Sequence, residues 1–168
     1  KEQIEVAQNK KLSFKQKNVF PSGHSMECRI YAENGFNDFS PSTGIIKEMI
    51  IPNGIGVRFD EGVRSNQHIT PYYDPLLGKL ITWGENRKTA LNRMLRALHE
   101  FHITGIETTI PFSKTLLSHK SFKKGYYCTN TLNEIQEELL NINTKNGKEI
   151  LLAARIGASK IHDKNKVI

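Results

Sequence analysis

Cysteine is scarce in this chain of 168 residues, which contains only Cys28 and Cys128. The two positions are far apart and no Cys-x-x-Cys spacing occurs, so neither a disulfide framework nor a cysteine-ligated zinc site is indicated. Cys28 alternates with Met26 and Ile30, a pattern in which a thiol behaves as a small apolar group. We therefore expect both thiols to be reduced.

Long apolar runs are missing as well. No segment approaches the roughly 20 residues that a membrane-spanning helix needs, and the first residues show no secretory signal pattern. Hydrophobic residues make up 38% of the chain and charged residues 24%, close to the averages of globular proteins. The length and composition predict one ordinary core with a detached tail and no membrane partner.

Charge of one sign is in excess, because 24 Lys and Arg residues outnumber 17 Asp and Glu residues and give a net charge of +7. Such a surface can serve nucleic acid, anionic lipid or anionic substrates. The basic residues are dispersed along the chain, however, and form no stripe with interleaved aromatic residues. A solvated surface is the simpler interpretation, and a basic nucleic-acid-binding domain is the less favoured alternative.

Strands and helices alternate irregularly in the predicted order. Alternating apolar residues bounded by turn residues predict strands over His24–Ala32, Gly44–Ile51, Ile55–Asp60, Lys79–Trp83 and residues 106–110. Asn53-Gly54 is typical of a tight hairpin turn between the second and third of these strands. Helices are expected around residues 4–7, over residues 87–102 with Asn86 as N-cap, and from Pro111. This pattern predicts an α+β fold, in which an antiparallel β-sheet packs against helices.

The other apolar residues recur at the spacing of a helix and form stripes in three segments. The stripe of the 87–102 helix comprises Leu91, Met94, Leu95, Leu98 and Phe101. Beyond Thr131, two further stripes predict a helical C-terminal tail: Leu132, Ile135, Leu139 and Leu140, then Ile150, Leu151, Ala154 and Ile156. A polar break over Asn141–Lys148 indicates a linker between them. We expect residues 141–168 to be more mobile than residues 24–129.

Arg58 is the principal candidate for a functional side chain. The apolar face of its predicted strand comprises Ile55, Val57 and Phe59. Alternation then places Arg58 and Asp60 on the opposite face. The segment Thr70–Leu80 follows with a Pro-bounded turn that carries two tyrosines and a carboxylate. A permanently charged planar donor on a rigid strand beside a stiff turn suits a small anion or a polarised carbonyl, although such an arginine is more often solvated or ion-paired.

The remaining candidates for chemistry are weaker. Asp74 is better explained as holding its own turn through backbone hydrogen bonds. Glu27 is better explained as the partner of Arg29 or of a neighbouring strand. His99 and His102 lack a Cys or carboxylate partner at ligand spacing. We therefore predict no metal site and no cofactor-binding residue, and we find no nucleophile–base arrangement.

The order of the motifs points to a family. They lie at Gly23–Glu33, Phe39–Gly44, Gly54–Phe59, Thr70–Leu80, Gly84–Arg87 and Gly105–Phe112. In this order and spacing the chain resembles the C-terminal part of a biotin carboxylase, the ATP-dependent component (a ligase) of acyl-CoA carboxylases and of pyruvate carboxylase. The resemblance extends from Lys1 to about Thr129, and the last part of the chain matches less well.

The resemblance implies three parts. Residues 1–22 would end the preceding ATP-grasp domain, residues 23–130 would form the biotin carboxylase C-terminal domain, and residues 131–168 would be a helical connector. The family's Gly-rich flap over ATP, its magnesium-binding Glu pair and a Met-Lys-Met biotinylation site do not occur in the sequence. The chain is therefore interpreted as a fragment that is inactive in isolation. Departures from the family pattern fall at Tyr31, Asn34-Gly35 and Thr109 and are not expected to touch Arg58.

For Arg58 the resemblance implies a catalytic and substrate-binding role toward biotin and bicarbonate, by stabilising the charge on the ureido oxygen of biotin. Biotin would be carried on a separate domain, whereas ATP and Mg²⁺ would be bound upstream. The implied partners are the biotin carboxyl carrier, the carboxyltransferase component and a second copy in a homodimer, in the cytoplasm or the mitochondrial matrix. The alternative is a catalytically inert dimerisation and packing module.

Overall fold

The computed structural model describes residues 1–143 and residue 145, which form an α+β fold. The strands are β1 (His24–Tyr31), β2 (Glu33–Asn34), β3 (Ser40–Pro41), β4 (Gly44–Ile45), β5 (Glu48–Ile50), β6 (Val57–Glu61), β7 (His68–Ile69), β8 (Leu76–Gly84) and β9 (His102–Thr104). The helices are α1 (Glu2–Ala7), α2 (Arg87–Glu100), α3 (Ile110–Ser118), α4 (Lys120–Lys124) and a helix over residues 131–143. The predicted fold class is confirmed.

A three-stranded antiparallel sheet in the order β1-β8-β6 forms the centre of the fold. Its register aligns Cys28 with Leu80 and Leu80 with Phe59, so one row of side chains crosses the sheet on the core side. Because side chains alternate along a strand, the next residues point to the other side. That second face carries Arg58 and Asp60, and we call it the open face.

Helix α2 covers the core side of the sheet. Its stripe residues Leu91, Met94 and Leu98 are buried, as predicted. The helix begins where expected, since the Asn86 side chain accepts a hydrogen bond from the Thr89 backbone N–H at 2.9 Å. Phe101, directly after the helix, packs edge-to-face on Phe59 with the ring centres 4.9 Å apart. The core therefore joins α2 to the strand that carries Arg58.

Two positions on β8 show how closely the helix and sheet approach. Thr82 is fully buried, and its hydroxyl donates to the Ala90 carbonyl at 2.9 Å. This bond satisfies a polar group that would otherwise be costly to bury. A side chain at Gly78 would overlap the ring of Phe59. The sequence at these positions is therefore set by packing.

The predicted strand over Gly44–Ile51 and its hairpin are wrong. The segment divides into β4, which pairs with β7, and β5, which pairs with β9, while β6 joins β8 instead. Between β4 and β5 the Ile46 side chain is fully buried. The chain then turns at Gly54 and Gly56, which both have positive φ. Consequently β6 begins only at Val57, and Ile55 lies outside the strand with 85% of its surface exposed.

The predicted strand over residues 106–110 is also misplaced. The observed strand β9 lies earlier, at His102–Thr104, because the chain leaves α2 at Phe101 in an extended conformation. Gly105 then adopts a φ of 98°, a left-handed conformation that ends the strand. Helix α3 begins at Ile110, with Pro111 in its first turn as expected.

The C-terminal helix over residues 131–143 packs on the domain through Ile135 and Leu139, both buried. The buried His119 ring contributes a polar contact, with Nε2 3.2 Å from the Glu138 carboxylate. Because residues 141–143 are helical, the polar break does not begin at Asn141. Apart from residue 145, the rest of that linker and the second apolar stripe lie outside the described residues. Within the described residues, no helix is long and apolar enough to cross a bilayer.

Candidate functional site

The open face carries Arg58 as an exposed side chain in a close ion pair. Arg58 Nε lies 2.9 Å from Asp60 Oδ1, and Nη2 donates to Oδ2 at 2.9 Å. The two side chains are 70% and 48% exposed. The predicted orientation of both residues, away from the core, is confirmed. Sequence reasoning placed Asp60 on this face but did not identify it as the partner of Arg58, although their spacing of two residues was the available signal.

Rows of charged side chains cross the open face. In one row, Arg58 of β6 aligns with Ile81 of β8, which aligns with Glu27 of β1. In the next row, Asp60 aligns with Lys79, which aligns with Arg29. Glu27 pairs with Arg29 at 3.4 Å, as expected. Hydrogen bonds to the Tyr31 hydroxyl and to Glu27 raise the pKa of Arg29. Cations outnumber anions on this face, which favours a negatively charged ligand.

The turn before β8 does not lie beside Arg58. The Leu76 N–H donates to Asp74 Oδ1 at 2.7 Å, so Asp74 holds its own turn as predicted. Arg58 aligns with Ile81, however, five residues further along β8 than Leu76. At the usual rise this separation is about 16 Å. Tyr72 and Tyr73 are 85% and 84% exposed at the far end of the sheet, and the structure does not bring them to Arg58.

The departures from the family pattern form a separate cluster. The Tyr31 N–H donates to the Thr109 hydroxyl at 3.0 Å, and the Thr109 N–H donates to the Tyr31 carbonyl at 3.1 Å. Asn34 Nδ2 lies 3.2 Å from both carboxylate oxygens of Glu107. These residues join the end of β1 to the segment before α3, and only the Tyr31 hydroxyl reaches the open face among these contacts, where it accepts a hydrogen bond from Arg29 and not from Arg58.

The described residues provide no cluster of three or more His, Cys, Asp or Glu side chains that could hold a metal ion. His99 and His102 are both exposed. Burial raises the pKa of the Cys28 thiol, which keeps it protonated on the core side of β1. Within this part of the chain, Arg58 and its neighbours therefore remain the leading candidates for chemistry.

A concave surface away from Arg58 was missed in the sequence. Phe112 packs edge-to-face on Phe36 and on Phe39, with ring centres 5.5 Å and 5.1 Å apart. Together with Leu132 and Leu139 of the C-terminal helix they line a groove of about 210 Å³. The rings come from two separated segments and the leucines from a third, so no local pattern revealed the groove. It lies beside the 131–143 helix and not on the open face.

Comparison with known proteins identifies the family. The family model described as the biotin carboxylase C-terminal domain matches residues 27–134. A pyruvate carboxylase subunit of Methanothermobacter thermautotrophicus is 48% identical over 134 residues, which cover 80% of this chain and 27% of that protein. Biotin carboxylase 1 of Bacillus subtilis is 49% identical over 132 residues, which cover 79% and 29%. The chain belongs to the biotin carboxylase C-terminal domain family.

A solved structure agrees with this result. The biotin carboxylase domain dimer of the Hydrogenobacter thermophilus 2-oxoglutarate carboxylase, in complex with MgADP, ADP and bicarbonate, matches with a TM-score of 0.78 and 36% identity. The match covers 82% of this chain and 30% of that one. The family resemblance indicated by the motifs is confirmed, and the chain spans less than a third of the length of these relatives.

Proposed function

We propose that this chain is the C-terminal part of an ATP-dependent biotin carboxylase and that the open face forms one wall of the biotin and bicarbonate site. The observation that carries the proposal is the geometry of Arg58. A permanently charged, planar donor stands on a strand paired along its length to the central strand, with its core side packed and its other side open. Rigid elements of this kind are suited to hold a catalytic group in position.

The proposed chemistry uses Arg58 at an oxygen. ATP and bicarbonate give ADP and carboxyphosphate, which breaks down to phosphate and the CO₂ that N1′ of biotin takes up, and the phosphate accepts the N1′ proton. Loss of the N1′ proton moves negative charge onto the ureido oxygen, and the Arg58 guanidinium stabilises that charge. A preorganised donor at a developing oxyanion contributes about 3–4 kcal/mol to the transition state. Arg58 therefore acts as a catalytic residue that also contacts biotin and bicarbonate.

The other components of the reaction would lie outside this chain. We assign ATP and Mg²⁺ to an upstream ATP-grasp domain and biotin to a separate carrier domain. Residues 1–22, which we assign to the end of that upstream domain, contain no buried residue, and Phe20 is 80% exposed. Such exposed apolar side chains fit a surface that packs against further protein. Residues 23–130 form the domain proper and residues 131–168 the connector.

The proposed partners follow from the same assignment. They are the biotin carboxyl carrier, the carboxyltransferase component and a second copy of the chain, in the cytoplasm or the mitochondrial matrix. The homodimer is supported by the 2-oxoglutarate carboxylase domain, which was solved as a dimer. The choice of acyl-CoA or keto acid would belong to the carboxyltransferase component.

The isolated chain is expected neither to hydrolyse ATP nor to carboxylate free biotin, because the proposed ATP and Mg²⁺ ligands are not among its residues. Phosphate release with bicarbonate and biotin measures this directly on a preparation whose mass has been verified. The complete enzyme, assayed in parallel, is the positive control. Biotin-dependent ATP turnover by the isolated chain would contradict the proposal that an upstream domain binds ATP and Mg²⁺.

A dimerisation and packing module is the second candidate function. It is favoured by large apolar side chains at the surface, since Ile55 is 85% and Trp83 43% exposed. Both candidates predict self-association in the complete enzyme. They differ at Arg58, because an inert module predicts that substitutions there leave the carboxylation rate unchanged.

The basic surface is not expected to be a specific nucleic-acid site. Dispersed lysines give contacts to phosphate without base readout, so any binding should be weak, indifferent to sequence and lost as salt rises. Fluorescence anisotropy with two unrelated duplexes, at about 50 and about 200 mM salt, tests this. A sequence-selective complex that survives the higher salt would support the nucleic-acid alternative.

A further inference from the structure

Asp60 holds one edge of the Arg58 guanidinium group. Arg58 Nε and Nη2 each lie 2.9 Å from a different oxygen of the Asp60 carboxylate. The Nη2 hydrogen bond and the close approach of Nε to the second oxygen hold the carboxylate along one edge of the guanidinium, which limits its rotation as well as its position. The carboxylate lies along the Nε–Nη2 edge and accepts one Nη2 hydrogen. Both Nη1 hydrogens and the second Nη2 hydrogen point away from this edge.

Strand geometry keeps this pair on the open face. The two residues are two positions apart and so share one face of β6. Register fixes their backbones, because Arg58 aligns with Ile81 and Asp60 with Lys79 of the central strand. The side chains are 70% and 48% exposed, and ion pairs at such exposure contribute little to stability. The consequence of the pair is therefore the orientation of Arg58 rather than the stability of the fold.

Two arginines outside the open face, Arg93 and Arg96, are held differently, whereas Arg29 on that face also contacts a carboxylate, that of Glu27, through Nε at 3.4 Å. Arg96 contacts Glu100 through Nη1 alone, at 2.8 and 2.9 Å from the two carboxylate oxygens. Arg93 Nη1 donates to the Trp83 backbone carbonyl at 2.6 Å. These two contacts use the terminal nitrogens and turn them toward the protein. In Arg58 one terminal nitrogen, Nη2, donates to Asp60, and the Nη1 side of the guanidinium is turned away from that partner.

Resting on the function proposed above, we propose that Asp60 is a positioning residue for Arg58. By holding the Nε–Nη2 edge, Asp60 presents the Nη1 side as a flat, charged donor to an oxygen on the substrate. The ligand class that fits this side is an enolate-like oxygen or a planar oxyanion, namely the ureido oxygen of biotin together with bicarbonate. Asp60 touches neither and acts only through Arg58.

The test begins with Asp60→Asn in the complete enzyme. The value of kcat/KM for biotin should fall by about 10- to 100-fold, the range for misplacing a catalytic group, while the KM for ATP and the melting temperature stay unchanged. Asp60→Glu, which keeps a carboxylate within reach of the guanidinium, should recover most of the activity. Glu100→Gln makes the same chemical change beside Arg96 and should leave kcat/KM for biotin at the wild-type value. Asp60→Ala serves as a second variant if the asparagine alters the melting temperature.

A double-mutant cycle separates positioning from a structural role. In an Arg58→Gln background, Asp60→Asn should produce no further loss of activity. An equal loss in both backgrounds, or wild-type or faster carboxylation by Asp60→Asn alone, would overturn the assignment of Asp60. If Arg58→Gln is impaired while Asp60→Asn is normal, only this assignment fails. If Arg58→Gln itself carboxylates biotin normally, the proposed function fails.

Discussion

Replacing Arg58 by glutamine in the complete enzyme is expected to slow biotin carboxylation by about 100-fold or more, the range for losing one preorganised donor. The same substitution should hardly change stability. Arg58 points away from the core side of β6, so its removal leaves no buried cavity. The measurements are kcat and kcat/KM for biotin, with the melting temperature taken on the same preparations.

Two further variants sharpen this result. Arg58→Lys should recover little activity, because an ammonium group cannot reproduce the planar fork that Asp60 and the substrate share. Arg96→Gln is the matched control, since it removes an exposed, ion-paired arginine from α2 rather than from the open face. Equal losses in Arg58→Gln and Arg96→Gln would indicate a general effect of surface charge, and the special role of Arg58 would be withdrawn.

Replacing Phe101 by alanine is expected to lower the free energy of unfolding by about 3–5 kcal/mol, the usual cost of truncating a buried phenylalanine. Phe101 is 1% exposed and fully enclosed between α2 and the sheet. Its edge-to-face contact with Phe59 contributes about 0.5–1.5 kcal/mol beyond area burial. Because Phe59 is the next residue after Arg58 in β6, the cavity would also loosen the strand that carries the site.

Urea denaturation of the isolated chain measures the effect of Phe101→Ala. Tyr72→Ala is the control, because this aromatic side chain is 85% exposed and its loss should change stability by less than about 0.5 kcal/mol. A small effect at Phe101, comparable to that at Tyr72, would mean that the core between α2 and β6 is not packed as described.

Elements with a strong local signal could be predicted from the sequence. The alternation of β1 and the apolar stripe of α2 each identify one buried face, and Asn86 marks the helix start through its side-chain oxygen. The side of β6 on which Arg58 stands follows from alternation alone. The family motifs added the assignment of Arg58, which no composition or periodicity implied.

Elements that depend on distant partners could not be predicted. The Gly44–Ile51 segment looks like one strand, yet its halves pair with β7 and β9, which lie elsewhere in the sequence. Asn53-Gly54 has the local chemistry of a hairpin, but those pairings take its two flanking strands to different partners. The tyrosine turn is close to Arg58 in sequence and distant along β8, because register rather than chain order sets spatial neighbours.

The most direct test of the account compares two activities of the complete enzyme, wild type and Arg58→Gln, in one experiment. One is biotin carboxylation, and the other is bicarbonate-dependent ATP cleavage without biotin. If Arg58 acts mainly at the ureido oxygen, the first rate should fall by about 100-fold and the second should fall much less, with an unchanged melting temperature. Normal carboxylation by the variant, or a loss of both rates that follows unfolding, would contradict the account and return Arg58 to an ordinary surface arginine.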